Sequence, residues 1–449
     1  MPGEGGTWVP DVIFGWSPIW VATVLLVVTY GVIMSERVNR AIVALLGAGL
    51  MIVLGVLNQA AAVRGVDFNT IALLTGMMII VAITRKCGVF QYLAIWSAKK
   101  VKANPAGIMF MLQIVTAVVS AFLDNVTTVL LVIPVTLVIT EELGVKPWPF
   151  LISQIFASNI GGTATLIGDP PNILIGSQVG LTFNEFVINL TPVIVVVQLV
   201  TSGIFHVMYG RQMESTPEAR ERVMRFNERD AITDVRLLRQ SLTVLAFVIL
   251  AFVLAHTLRL EPGTIGMLGA AVLMLLHCFG RPAEEQAHET QHIFNEVEWI
   301  TIFFFVGLFI VVYGVETAGL LKLLAQELVA ATQGDLTLTT LAVLWASAIL
   351  SAIVDNIPFV ATMIPLIKNM APTFGGPEGL MPLWWALSLG ACLGGNGTLI
   401  GASANLTVAG IAERAGHPIR FVPYMKVAFG VMLVSIVIST VYVYLRYLT

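Results

Sequence analysis

Charge is scarce in this chain. Of its 449 residues only 11% are charged, against 57% hydrophobic and a mean hydropathy of +0.88. Soluble domains carry about 25% charged residues, so lipid is the expected solvent for most of this one. A basic excess is also missing: the net charge is −3 and the pI about 6.1, which excludes nucleic acid as a natural partner. The three cysteines, Cys87, Cys278 and Cys392, lie far apart and offer neither metal-ligand spacing nor a disulfide framework. No nucleotide-binding motif occurs, so any ATP dependence would have to come from a soluble ATPase partner. The first stretch, MPGEGGTWVP, has no basic region ahead of the first apolar run. That predicts a retained first span rather than a cleaved leader.

Apolar runs are what the chain does have. A membrane-spanning helix needs roughly 20 largely apolar residues, and 18–35, 40–58, 69–84, 187–209, 240–258, 263–279, 297–314 and 423–445 fit that pattern. Two longer stretches, 106–140 and 338–368, are broken only at their centres by Asp124-Asn125 and Asp355-Asn356. Neither leaves residues for a loop outside the membrane, so each predicts a re-entrant helical hairpin with a polar tip inside the bilayer. Two further stretches, 148–180 and 382–413, contain NIGGTATLIGDPPN and CLGGNGTLIGASAN. Paired prolines and clustered glycines do not continue a helix. Unwound backbone at membrane depth is tolerated only where protein or a water-filled cavity covers it, so these are expected to be discontinuous helices.

The interruptions repeat. Asp355 follows Asp124 by 231 positions, and the same offset carries Thr70 to Thr301, Gly76 to Gly307, Ser120 to Ser351 and Pro134 to Pro365. The broken segments match at 233, pairing Gly161 with Gly394, Gly162 with Gly395, Thr165 with Thr398, Gly168 with Gly401 and Asn172 with Asn405. The expected organisation is a first repeat over 1–208, a charged cytoplasmic linker over 209–239 and a second repeat over 240–449. The span count gives the two repeats opposite topology. Most of the 24 Lys and Arg then fall on the side of the linker, which places that side in the cytoplasm and both termini outside. The fold class expected is an all-α polytopic protein of the cytoplasmic membrane with two inverted repeats, an arrangement typical of secondary transporters. The mixed-charge linker itself reads as a solvated segment.

A charged Asp at mid-membrane costs about 2.5–3.5 kcal/mol, so Asp124, Asp169 and Asp355 need a use. Helix N-termini after each break present free N–H groups to substrate oxygens. Asn125, Asn172, Asn356, Asn396 and Asn405 both donate and accept, and Thr127, Thr128, Thr165 and Thr398 add hydroxyls. Gly161, Gly162, Gly168, Gly394, Gly395, Gly397 and Gly401 are expected to let backbone approach a solute closely. Desolvation favours the neutral form of a carboxyl group, so Asp124 and Asp355 are the expected proton carriers. His206, His256 and His277 are expected in packing or interfacial roles. Glu298 and Glu316 are expected to snorkel or cap, and Cys392 to act as a small core residue. An intramembrane aspartyl protease would want Gly-x-Gly-Asp where this chain has Leu166-Ile167-Gly168-Asp169, so the chain is not expected to be an enzyme.

At FLDNVTTVLLVIPVT, IGGTATLIGDPPN, VDNIPFVATMIP and CLGGNGTLIGASAN the sequence resembles the ArsB / P-permease branch of the ion transporter superfamily. That branch includes arsenite efflux pumps and the melanosomal P protein, with NhaD-type antiporters and dicarboxylate carriers more distant. The resemblance implies a homodimer and no cofactor beyond a coupling proton or sodium ion. Dicarboxylate carriers have Ser-Asn-Thr at the hairpin tips, whereas here the tips are Asp124-Asn125-Val126 and Asp355-Asn356-Ile357. With no Arg or Lys in either motif, a neutral hydroxylated solute is expected. The expected activity is proton-coupled efflux of arsenite, with antimonite as a second solute. The alternatives are a sodium–proton antiporter of the NhaD type or an anion permease like the P protein.

Overall fold

A helix that crosses lipid must satisfy its own backbone, and helix is nearly all this chain builds. The computed structural model describes residues 8–35 and 37–449, and no strand occurs among them. The stretch before Trp8, on which the expectation of a retained first span partly rested, lies outside the described residues.

The first half runs through α1 (Pro18–Met34), α2 (Arg40–Val53), α3 (Gln59–Gly65), α4 (Phe68–Arg85) and α5 (Val89–Lys100). It continues with α6 (Pro105–Phe122), α7 (Asn125–Leu143), α8 (Trp148–Thr163), α9 (Pro170–Val179) and α10 (Phe183–Tyr209). After α11 (Pro217–Met224) the same order returns as α12 (Val235–Val253), the short turn α13 (Ala255–Leu258), α14 (Pro262–Cys278), α15 (Ala283–Asn295), α16 (Trp299–Ala318) and α17 (Leu320–Ala331). The remainder is α18 (Leu336–Ile353), α19 (Asn356–Lys368), α20 (Met381–Gly394), α21 (Ser403–Arg414) and α22 (Phe421–Tyr447). With α13 set aside, each helix of the first repeat has a counterpart in the second. The packing follows suit: α2 lies on α16 as α14 lies on α4, and α6 lies on α8 as α18 lies on α20.

Small residues set these crossings. A Cβ on Gly76 would sit 2.4 Å from the Gly266 backbone, and one on Gly307 would sit 2.5 Å from the Ala44 backbone. Only glycine admits so close an approach of two helices. The fold is therefore two inverted repeats, each with a re-entrant hairpin (α6–α7, α18–α19) and a discontinuous helix (α8–α9, α20–α21). Both arms of the first hairpin are as long as full spans, 18 and 19 residues. The chain nevertheless turns back inside the protein, because the Asp124-Asn125 tip lies against the break between α8 and α9.

The segment between repeats is not merely solvated. Val223 and Ala219 of α11 are buried against α5 and α7. Arg222 pairs with Glu142 at 3.1 Å and Lys99 with Glu228 at 2.5 Å, and the Thr233 amide donates to the Cys87 carbonyl at 3.2 Å. Two apolar side chains at one helical turn's spacing were enough to dock it.

Amphipathic α15 is fixed by one carboxylate. Glu289 pairs with Lys86 at the end of α4, with His277 at 3.0 Å and with Arg281 at 3.7 Å. His277, in the last turn of α14, thus takes part in a polar node at the end of its span. The Lys86 ammonium beside it, followed by His277, holds the Glu289 carboxyl at about 2, below the ordinary 4.5. A depressed acid stabilises the fold above its unfolded value and loses that contribution as pH falls toward the folded one. The protection of residues 283–295 against hydrogen exchange, corrected for the intrinsic pH dependence of the amide rate, is expected to be flat above pH 5 and to fall as pH drops from about 4.5 toward 2. Glu289→Gln is expected to give the lowered protection at every pH.

Candidate functional site

Each hairpin turns because an aspartate stops one helix and starts the next. Asp124 is extended (φ −65°, ψ 153°) and caps α7, its Oδ1 accepting from the Thr127 amide at 2.9 Å and its Oδ2 from the Thr127 hydroxyl. Asp355 caps α19 through the Ile357 amide at 3.0 Å. Capping by a side-chain acceptor is the ordinary reason for Asp at such a position, and it applies to both. The asparagines that follow differ. Asn125 Nδ2 donates to Asn159 Oδ1 at 3.0 Å and Asp169 Oδ1 at 3.2 Å. Asn356 is 2% exposed and its Nδ2 has no partner.

The broken helices are held by their own polar residues. Asn172 Nδ2 donates to the Thr163 and Thr165 carbonyls at 3.0 and 2.9 Å. Asn405 Nδ2 donates to the Gly395 and Thr398 carbonyls at 2.8 and 2.9 Å. Those carbonyls belong to the interrupted turn, where the i→i−4 ladder has lapsed. Thr165 and Thr398 tie the same turns to the hairpins, donating to the Ala121 and Ala352 carbonyls at 2.5 Å each. The carbonyl ends of the two asparagines reach across the pseudo-axis. Asn172 Oδ1 accepts from Ser388 at 2.5 Å and faces Cys392 Sγ at 3.6 Å, while Asn405 Oδ1 accepts from Asn159 at 2.9 Å. Asn159 and Cys392 stand 233 positions apart, so the same position of each repeat touches the other repeat's asparagine.

The expectation that the glycines approach a solute is corrected here. A Cβ on Gly162 would lie 2.5 Å from the Gly168 carbonyl oxygen, and one on Gly401 would lie 2.5 Å from that of Gly395. Gly161 and Gly394 approach the Ala117 and Ala348 backbones as closely. These glycines, together with Gly397 against Ala352, let the chain cross itself and its hairpin. Asn172, Asn405, Thr165 and Thr398 are likewise engaged within the protein.

A second correction concerns cations. Arg40, at the start of α2, donates through Nη1 to Asp355 Oδ2 at 3.2 Å and Ser403 Oγ at 2.6 Å, and through Nη2 to Thr301 Oγ1 at 3.1 Å. Its guanidinium also lies over the Phe304 ring, 5.0 Å from the centroid. Glu298 does not snorkel outward: its Oε2 accepts from Thr301 at 3.2 Å, and it lines the same cavity as Asp124. A guanidinium therefore sits among the acidic tips.

That cavity has a volume of about 20 Å³ and is lined by Arg40, Asp124, Asn125, Asp169, Glu298, Thr301, Asn356 and Ser403, with Leu74, Met78, Val126, Pro170 and Ile357. It has room for one water-sized occupant. Asp169 is fully buried, and its Oδ2 has no partner; the same holds for Thr128 Oγ1 and Asn396 Nδ2 nearby in the core. A cleft of about 330 Å³ adjoins it at the α1 C-terminus, sharing Arg40, Val126, Glu298 and Ser403 with it and adding Asp355 to its own lining. A second cleft, about 280 Å³, lies at the other end of α16 between Asp67, Gln178, Glu316 and Lys368, and shares no tip residue. Among the residues expected from sequence, Asp124, Asn125, Asp169 and Asn356 are brought together here, with Asp355 in the adjoining cleft. Arg40, Asn159, Glu298, Thr301 and Ser403 were missed. One signal was available: the offset pairing Thr70 with Thr301 also pairs Asp67 with Glu298.

Two inverted repeats whose broken helices and hairpin tips meet in a buried polar cavity define a secondary transporter. The chain belongs to the CitMHS family, described as citrate transporters, whose model matches residues 30–390. It is 42% identical to an uncharacterised transporter of Mycobacterium bovis, over 95% of this chain and 98% of that one. A 46 kDa membrane protein of Mycobacterium leprae is 40% identical over 95% and 99%. The human P protein is 33% identical over 95% of this chain and 60% of its own length, which agrees with the P-permease resemblance of the motifs. Among solved structures, the YdaH transporter of Alcanivorax borkumensis aligns with a TM-score of 0.59 at 12% identity, over 96% of this chain and 99% of that one. MtrF of Neisseria gonorrhoeae aligns at 0.58 and 12%, over 97% and 96%. The fold is therefore that of a known class of multi-pass membrane transporters.

Asn172→Ala or Asn405→Ala leaves two buried carbonyls without donors and is expected to cost about 2–4 kcal/mol. Asn356→Ala removes an amide that donates to nothing and is expected to cost less than half as much. Denaturant unfolding of the purified variants in detergent measures the difference.

Proposed function

We propose that this protein is a proton-coupled exporter of a small, neutral, hydroxylated inorganic solute, with arsenite first and antimonite second. The carrying observation is the composition of the tip cavity: Asp124, Asp169 and Glu298 line it, with Asp355 in the adjoining cleft, against the single guanidinium of Arg40. A polyanion such as citrate, named in the family's description, would meet more like charge than opposite charge there, and like charges at such range repel strongly at low dielectric. Arsenous acid carries only hydroxyls and can exchange hydrogen bonds with Asp169 Oδ2 and Asn356 Nδ2, both unpartnered. Among the described residues Asp124 forms no ion pair, whereas Asp355 pairs with Arg40, so Asp124 is the better placed of the two expected proton carriers. The 330 Å³ cleft offers the solute a way in, and exchange then proceeds by alternating access. The same reading puts a homodimer in the cytoplasmic membrane with residues 209–239 and the 330 Å³ cleft on the cytoplasmic side. Any ATP dependence falls to a separate soluble ATPase.

Sodium–proton exchange is the second reading, favoured by a water-sized cavity in which one Asp169 oxygen is free. Expression in cells lacking arsenite export is expected to raise arsenite tolerance, and Asp124→Asn to abolish proton-driven arsenite flux in vesicles while leaving a folded protein. No gain in tolerance together with flux that follows a sodium gradient would replace the first reading by the second. Flux that follows chloride would instead point to an anion permease.

A further inference from the structure

The side chain of Arg40 is three-quarters buried at the boundary between the wide cleft and the small tip cavity, and it lines both. One fork of its guanidinium holds the hairpin tip at Asp355 and the start of α21 at Ser403, while the other holds α16 at Thr301. Four elements of both repeats, α2 included, thus converge on one charged group. Ser403 completes the arrangement by donating to the same Asp355 oxygen at 3.2 Å. The pseudo-symmetric positions cannot repeat it: Pro170 stands where Ser403 does, 233 positions earlier, and Asp124 has only Thr127. The latch exists on one side of the molecule.

We propose that Arg40 is a tethered counter-cation that closes the passage between the cleft and the tip cavity, and that its release from Asp355 admits the solute. It is a positioning residue. A proton or a small cation arriving at the Asp355 carboxylate competes with the guanidinium directly, whereas a neutral solute must wait for the fork to open. Phe304 offers the displaced guanidinium a second resting place, since the two are already stacked. This inference rests on the transporter reading of the site, but its test requires no transport.

Ile357→Cys places a thiol in the tip cavity beyond the latch, and its reaction with a charged methanethiosulfonate reports passage from the cleft. The native cysteines are all buried, and the unmodified chain gives the background. With Arg40 present the reaction is expected to be slow. Arg40→Gln and, separately, Asp355→Asn are each expected to accelerate it at least about tenfold, because each breaks the same charge-assisted bond and shifts the closed population accordingly. The double variant is expected to be no faster than either single one. Arg40→Lys, which cannot reach Asp355 and Thr301 with one fork, is expected to fall between. Equal rates in all folded variants, with folding checked by monodisperse elution and cooperative melting, would overturn the proposal. Additive acceleration in the double variant would also overturn it, since the two residues would then act separately. If the accessibility results hold while arsenite tolerance does not rise, the latch stands and only the substrate is wrong.

Discussion

Everything here depends on how a broken helix satisfies its backbone in hydrocarbon. A carbonyl with no donor in that medium costs several kcal/mol, and each break exposes a turn of them. Asn172 and Asn405 answer this locally, each amide bridging two carbonyls of its own interrupted turn. Once the turns are secured, helix ends can stand at the protein's centre, and polar tips can be packed against them.

Duplication supplied two such arrangements, and divergence made them unequal. Asp169 of the first repeat corresponds to Ala402 of the second, and Asn159 corresponds to Cys392. One half therefore contributes the buried acid with a free oxygen. The other contributes the tip that is paired with Arg40. A perfectly symmetric core would present the same chemistry to both faces of the membrane. This one carries acid, amide and guanidinium in a single arrangement with a direction, and the 330 Å³ cleft opens on the guanidinium's side.

The hairpins and breaks were legible because each is a polar interruption in oily sequence, repeated at a fixed spacing. The tertiary partners were not. Arg40 sits 315 positions from Asp355 at the mouth of a span, where a basic residue reads as an orientation charge. Only folding brings it to the second hairpin. Asn159 opens the NIGGTATLIGDPPN segment but stands in α8 ahead of the break, and its role follows from which face of α8 meets the other repeat. The glycines were recognised as sites of close approach, but sequence could not say what approaches; the answer was the chain itself. Two docking residues in the linker, Ala219 and Val223, were too few to stand out among its charges.

The self-crossing at Gly162 and Gly168 has a mechanical consequence. A point where two backbones touch with no side chain between them cannot act as a pivot, because rotation there would drive carbonyl into carbonyl. The Thr165–Ala121 and Ser120–Ser158 bonds clamp that knot to the adjacent hairpin, and Thr398–Ala352 and Ser351–Ala391 do the same in the mirror half. Hairpin and broken helix in each half are thus welded into one block. Whatever carries a solute from one side to the other must be displacement of whole blocks against their surroundings, not the flapping of a tip.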